Sequence, residues 1–334
     1  MLDIIFNMLK QLTLIFECSR IYSLPMTILS WLVVFTFGLY SSGNVINGIL
    51  ALIGICFAHL GTNVLDDYLD YKHLIKQVSF NKSEYLKNTQ KTKCRYIISG
   101  MVEEKDILYL AFSYFLLAGI IGAYFYIKYG QTVLYFALAG GVIGVLYSLL
   151  SRIKLSEVAV AIAYGPALFG GVYYVMTQNL NYEVFLLAIP TMLITMVLLY
   201  IHTVMDYDFD LAEGKQTVAN SFDSELASLI VLKILLCSAY ASTILLAIFD
   251  ILDWQVFLVW LTIPLAVDLY KSMIDFSVDA SSIPEKRWFH FPMENMKRIT
   301  RIGARSFMVR IYQSRNLMIY FSLFMVLAII LCNI

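Results

Sequence analysis

The 334-residue chain is 60% hydrophobic and only 14% charged, and its 24 basic residues balance its 24 acidic ones. A soluble domain commits roughly 25% of its residues to charge, so a water-soluble enzyme and a disordered chain are both excluded. A β-barrel is excluded too, because the apolar runs are continuous over about 20 residues rather than short and alternating. What remains is an all-α integral membrane protein, read as one domain over residues 1–334.

About nine spans are predicted, over residues 22–41, 44–65, 107–128, 131–150, 156–176, 184–204, 225–248, 253–273 and 314–334. Residues 1–20 lack the basic, apolar and small-residue order of a leader, so the first span reads as retained. Arg20 stands just before it. The second span runs into Asn63, Asp66, Asp67 and Asp70, whose spacing keeps them within one stripe of a helix at about 100° per residue. His59 lies inside that span and reads as a hydrogen-bonded interior residue.

A long connection, 66–106, follows and carries Lys72, Lys76, Lys82, Lys87, Lys91, Lys93, Arg95 and Lys105. Tyr147 ends the fourth span, and Arg152 and Lys154 occupy the short connection after it. Glu157 opens the fifth span, where a carboxylate suits a helix N-terminus. Gly165-Pro166 and Gly170-Gly171 predict a bend or a close neighbour in that span.

The sixth span ends in a second acidic cluster, where His202, Asp206 and Asp210 repeat every four residues and share a face. Asp208 is expected on the opposite side, and Lys215 follows Gly214. The last long connection, 274–313, is again basic and aromatic. With alternating spans, 22 of the 24 lysines and arginines fall on one face. The positive-inside rule then makes the N-terminus and connections 66–106, 205–224 and 274–313 cytoplasmic, the C-terminus external, and the cytoplasmic membrane the expected location. The five cysteines are scattered with no CxxC pair, and read as small apolar residues apart from a loop thiol at Cys94.

Carboxylates stacked one turn apart repel each other and are costly at the end of a span. A divalent cation relieves both penalties. Hard oxygen ligands completed by water and phosphate oxygens describe Mg²⁺, so Asn63, Asp66, Asp67, Asp70, Asp206 and Asp210 are the expected metal ligands. Two such clusters on one face would hold a diphosphate between two ions and stabilise its departure from an allylic ester. Asp67, Asp70, Asp206 and Asp210 are the expected catalytic carboxylates. Arg20, Lys93 and Lys215 are the expected grips on phosphate, with Asn63 and His202 assisting. Tyr147 is the aromatic expected to shield an allylic cation. The plain alternative is that the acids and bases are charged helix ends and the aromatics an interfacial belt.

Asn63-Val-Leu-Asp-Asp-Tyr-Leu-Asp70, with Asp206-Tyr-Asp-Phe-Asp-Leu-Ala-Glu-Gly-Lys-Gln-Thr217, resembles the two aspartate motifs of the UbiA-type intramembrane prenyltransferases. The stretch Arg95-Tyr-Ile-Ile-Ser-Gly100 adds to that resemblance, and Asp66-Asp67-Tyr-Leu-Asp70, Leu155-Ser-Glu157 leading into Tyr164-Gly-Pro-Ala-Leu-Phe-Gly-Gly-Val-Tyr-Tyr174, and Gly214-Lys-Gln-Thr217 make the menaquinone-pathway branch, the 1,4-dihydroxy-2-naphthoate polyprenyltransferases, the most similar. Asp66 and His202 stand where that family commonly has asparagine. The resemblance implies Mg²⁺-dependent transfer of a polyprenyl group from its diphosphate to an aromatic quinone precursor, with the lipid bilayer as surroundings and no nucleic-acid partner. A terpene cyclase or a transferase to a non-aromatic acceptor would use the same diphosphate chemistry. A cation-coupled transporter fits less well, because transporters place their charges near the bilayer midplane.

Overall fold

A computed structural model describes residues 13–77, 80–87, 94–212, 215–301 and 303–333. Among them, nine helices are long and apolar enough to cross a membrane. They are α1 (Ile21–Tyr40), α2 (Val45–Leu74), α3 (Glu104–Tyr129), α4 (Gln131–Leu150), α5 (Ser156–Thr177), α6 (Tyr182–Met205), α7 (Glu225–Ile248), α8 (Trp254–Val278) and α9 (Arg305–Cys332). Their starts follow local chemistry. The Asn44 side chain accepts from Asn47 N at 3.0 Å to open α2, and the Ser224 hydroxyl accepts from Ala227 N at 3.1 Å to open α7. Prolines sit at the α-helical starts of both α1 (Pro25) and α8 (Pro264), where no intrahelical N–H is needed.

Each helix packs on the next in sequence, and α9 returns to pack on α1, so the nine form a closed ring. The helices α1, α6 and α9 also meet one another across it. The largest apolar core joins Phe169, Leu187, Ile201, Leu232, Val256 and Phe321, all 0% exposed. By contrast, α3 and α4 bury only 11% of their apolar windows, so they form a thin wall. That wall is drawn close at Gly144 of α4, where a Cβ would lie 2.6 Å from Thr62 Oγ1 of α2.

The expected bend in α5 is a π-turn at Ala163–Ala167, with Gly165 off helical geometry and Pro166 inside it. Three expected boundaries need correction. The second span continues to Leu74, nine residues past the expected end, so Asp66, Asp67 and Asp70 lie inside a helix and not in a connection. Residues 66–74 therefore leave the expected connection 66–106. Likewise α8 extends to Val278 and α9 starts at Arg305, which shortens the 274–313 connection at both ends. Hydropathy misplaced these ends because the extra turns are polar. They are held by packing and ion pairs rather than by lipid.

Candidate active site

The polar end of the bundle gathers the C-termini of α2, α4, α6 and α8 and the N-termini of the helices that follow them. On α2, Asp66, Asp67 and Asp70 are all buried. A bare carboxylate there would be costly, and each has a cation. Arg20, held in a left-handed conformation (φ 50°) before α1, is paired with Asp67 and reaches Asp66 at 3.7 Å. Burial opposes the charge of the Arg20 guanidinium, but Asp66 and neighbouring acidic groups override it and hold its pKa above the ordinary value. Arg152, from the α4–α5 connection, meets Asp70 Oδ1 at 2.6 Å.

Asp67 has a further partner. Tyr96, on the short helix Arg95–Ile98, donates to Asp67 Oδ2 at 2.7 Å. Burial pushes the Tyr96 phenol well above its usual range, so it stays a donor. The Cys94 thiol donates to the Asp67 carbonyl at 3.1 Å.

The second motif begins where α6 stops. Asp206 leaves helical geometry, and a new short helix covers Tyr207–Ala212. Asp206 N still bonds His202 O at 3.0 Å, and Asp210 N bonds Asp206 O at 2.7 Å. The four-residue repeat thus survives the break. Lys215 turns back to Asp210 Oδ1 at 3.3 Å, as its position after Gly214 suggested, although Gly214 itself lies outside the described residues. A bridge between Ile153 and Gln216 ties the Arg152 connection to the Lys215 segment, with Lys154 N donating to Gln216 O at 2.9 Å.

The two motifs face one cavity of about 2070 Å³. Its polar end is lined by Arg20, Asn63, Asp66, Asp67, Tyr96, Tyr147, His202, Asp206, Asp210 and Lys215. Asp70 looks instead into a small adjoining pocket that it shares with Arg152, Phe209 and Lys215. Asp208, expected on the far side, also borders the cavity, because the break at Asp206 turns the short helix. Deeper in, the lining is apolar and small: Phe115, Gly119, Gly122, Leu134, Gly140 and Gly141, from α3 and α4.

The carboxylates, with the Asn63 carboxamide, are hard oxygen donors of the kind Mg²⁺ takes. Among the described residues no three acid, histidine or cysteine side chains form a ready-made metal cage. Their charge is instead met by Arg20, Arg152 and Lys215. The donor set therefore fits a metal that arrives with its own phosphate ligands, because phosphate would draw those cations off the carboxylates.

Lys93, expected to grip phosphate, lies outside the described residues, as do Lys10 and Lys91. Tyr96 and Arg152 were not singled out as site residues from sequence. The Arg95-Tyr96 pair before Ser99-Gly100 was the available signal for the first. Nothing local marks Arg152, which lies 82 residues from its partner.

A model of the UbiA prenyltransferase family matches residues 22–293. No curated protein sequence matches the chain. Among solved structures, the chain is similar to a UbiA homolog from Aeropyrum pernix K1, with TM-score 0.58, 16% identity, and 91% of this chain and 97% of that one covered. It is similar to a UbiA homolog from Archaeoglobus fulgidus bound to GPP and Mg²⁺, with TM-score 0.54, 14% identity, and 91% and 99% covered. A structure described as digeranylgeranylglyceryl phosphate synthase is similar at TM-score 0.55 and 13% identity, with 96% and 99% covered. At these identities the solved structures speak to the fold.

Proposed function

Because the chain belongs to the UbiA prenyltransferase family, we propose that it transfers a polyprenyl group from its diphosphate to an aromatic quinone precursor, of the class of 1,4-dihydroxy-2-naphthoate, with Mg²⁺ as cofactor. The observation that carries this reading is the shared cavity, with two acidic motifs and their cations at one end and an apolar, glycine-lined channel beyond. Such a space suits a diphosphate head and a hydrocarbon tail together.

Asp66, Asp67, Asp206 and Asp210, with Asn63, would hold the metal, and Asp70 would join them from the adjoining pocket on release from Arg152. Bound there, Mg²⁺ supplies neutralisation of the charge that builds on the leaving diphosphate. Arg20 and Lys215 would shift from carboxylate to phosphate oxygens, and His202 would orient the second motif. Lys93 remains a proposed phosphate grip. Tyr147 would present its ring to the allylic carbon as positive charge develops. The aromatic and small residues around the tail keep water from that carbon.

The excess of lysine and arginine in the connections on that side supports a site at the inner face of the cytoplasmic membrane. Placement of both motifs at span ends favours this reading over a transporter.

The test uses purified protein, Mg²⁺, a polyprenyl diphosphate and hydroxylated aromatic acceptors, with pyrophosphate and prenylated lipid as readouts. Release should stop on metal chelation and return with added Mg²⁺. Release that persists undiminished in an Asp67→Ala, Asp206→Ala double variant would refute the site assignment.

A further inference from the structure

Along one wall of the cavity, five polar side chains from three helices converge. They are Ser23 and Thr27 of α1, His59 and Asn63 of α2, and Tyr164 of α5, and all five line the cavity. Diphosphate chemistry uses none of them except Asn63. A satisfied core histidine needs one or two partners. This imidazole has three, at 2.6–2.7 Å: Ser23 Oγ on Nε2, and both Thr27 Oγ1 and Tyr164 OH on Nδ1.

The network assigns the tautomer. Ser23 gives its single proton to the Arg20 carbonyl at 2.8 Å. Its oxygen must then accept from Asn63 Nδ2, at 2.9 Å, and from His59 Nε2. Nε2 of His59 therefore carries a proton, and in the neutral ring the lone pair is on Nδ1. That lone pair faces the Tyr164 hydroxyl at 2.7 Å, with Thr27 Oγ1 3.1 Å from the same hydroxyl. Tyr164 reaches this position from the π-turn Ala163–Ala167, an irregularity frequent at functional sites.

We propose that Tyr164 and His59 form the acceptor site of the transfer reaction, binding a hydroxyl-bearing acceptor at Tyr164 and taking its proton onto His59. The inference rests on the prenyl-transfer reading above. The allylic C–O bond breaks and its electron pair leaves with the diphosphate. The acceptor's electron pair forms the new bond to that carbon; where a ring carbon attacks, the dienone so formed regains aromaticity by passing the proton on that carbon to its oxygen through water, or by losing a carboxylate there as CO2 and taking a proton from water. The acceptor's hydroxyl proton moves to the Tyr164 oxygen as the Tyr164 proton moves to His59 Nδ1, leaving an imidazolium that returns its proton to water as products depart. Tyr164 is the catalytic residue here. Ser23 and Thr27 are positioning residues that fix the ring and its tautomer. Asn63 touches Ser23 and also lies on the acidic face of α2, so one side chain borders both half-sites.

The test supplies the protein in lipid nanodiscs with Mg²⁺, geranyl diphosphate and, separately, 1,4-dihydroxy-2-naphthoate, 4-hydroxybenzoate and a glyceryl phosphate acceptor. Pyrophosphate, geraniol and prenylated acceptor are quantified together. In Tyr164→Phe and His59→Gln the ratio of prenylated acceptor to pyrophosphate should fall about a hundredfold, the usual scale of a lost general base, with geraniol making up the balance. A structural role alone would lower product and pyrophosphate in step, and that outcome overturns the inference. So does wild-type pyrophosphate release with transfer to none of these hydroxylated acceptors. Wild-type protein that releases no pyrophosphate brings down the prenyl-transfer reading itself. Tyr164→Phe keeps the ring and its packing, so it carries the test if His59→Gln fails to accumulate.

Discussion

Arg152 and Asp70 meet at 2.6 Å although 82 residues separate them. This pair joins the α4–α5 connection to the acidic face of α2. Both side chains are mostly buried, at 20% and 11% exposure. Losing one partner strands the other, at a cost on the order of 3 kcal/mol. Arg152→Gln should therefore lower the thermal unfolding temperature in detergent. An added Asp70→Asn should recover part of the loss. Equal melting of wild type and Arg152→Gln would show that the pair contributes nothing.

Tyr96 orients Asp67 through a 2.7 Å hydrogen bond. Tyr96→Phe removes that donor and should weaken the metal-dependent state by about 1–3 kcal/mol. The expected readout is a rise in the Mg²⁺ concentration that gives half-maximal pyrophosphate release. An unmoved Mg²⁺ dependence would remove Tyr96 from the site.

Gly140 lines the apolar part of the cavity, and a Cβ there meets nothing within 4 Å. A Gly140→Trp substitution meets no neighbour at its Cβ and extends its ring into the channel. It should raise KM for long polyprenyl diphosphates while sparing geranyl diphosphate. Competition between donors of two lengths reads the preference directly, and an unchanged preference would mean the tail runs elsewhere.

His290, in the connection between α8 and α9, is 1% exposed, and burial holds its pKa below the ordinary 6.5 despite Asp268 at 3.2 Å. The unfolded chain then binds a proton that the folded one refuses. Stability from this group is present above the ordinary pKa and is lost as pH falls below it. Unfolding temperature should drop between about pH 7 and pH 5, and His290→Gln should flatten that slope. A variant as acid-sensitive as the wild type would assign the slope to other groups.

The spans and both acidic motifs were legible because hydropathy and four-residue spacing are local signals. Thus His202, Asp206 and Asp210 were placed on one face, and they remain so through an unforeseen helix break. The end of α2 was legible only in part: spacing put Asp66, Asp67 and Asp70 on one helical stripe, but the loss of hydropathy ended the span at 65, and the partners Arg20, Arg152 and Tyr96 that satisfy them lie far off in sequence. Pairings over such separations depend on how the ring closes, which no window of sequence contains. His59 was recognisable as hydrogen-bonded, but its partners on α1 and α5 belong to the same class of long-range fact.

The bridge between Ile153 and Gln216 is a small strap with a mechanical meaning. It yokes the segment bearing Arg152 to the one bearing Lys215, and these two cations answer to opposite motifs. A pull on one towards incoming phosphate should then be felt by the other. Substrate capture at the two halves is expected to be a single concerted event, which a reporter dye on the α4–α5 connection should show as one kinetic phase; two phases would uncouple the halves.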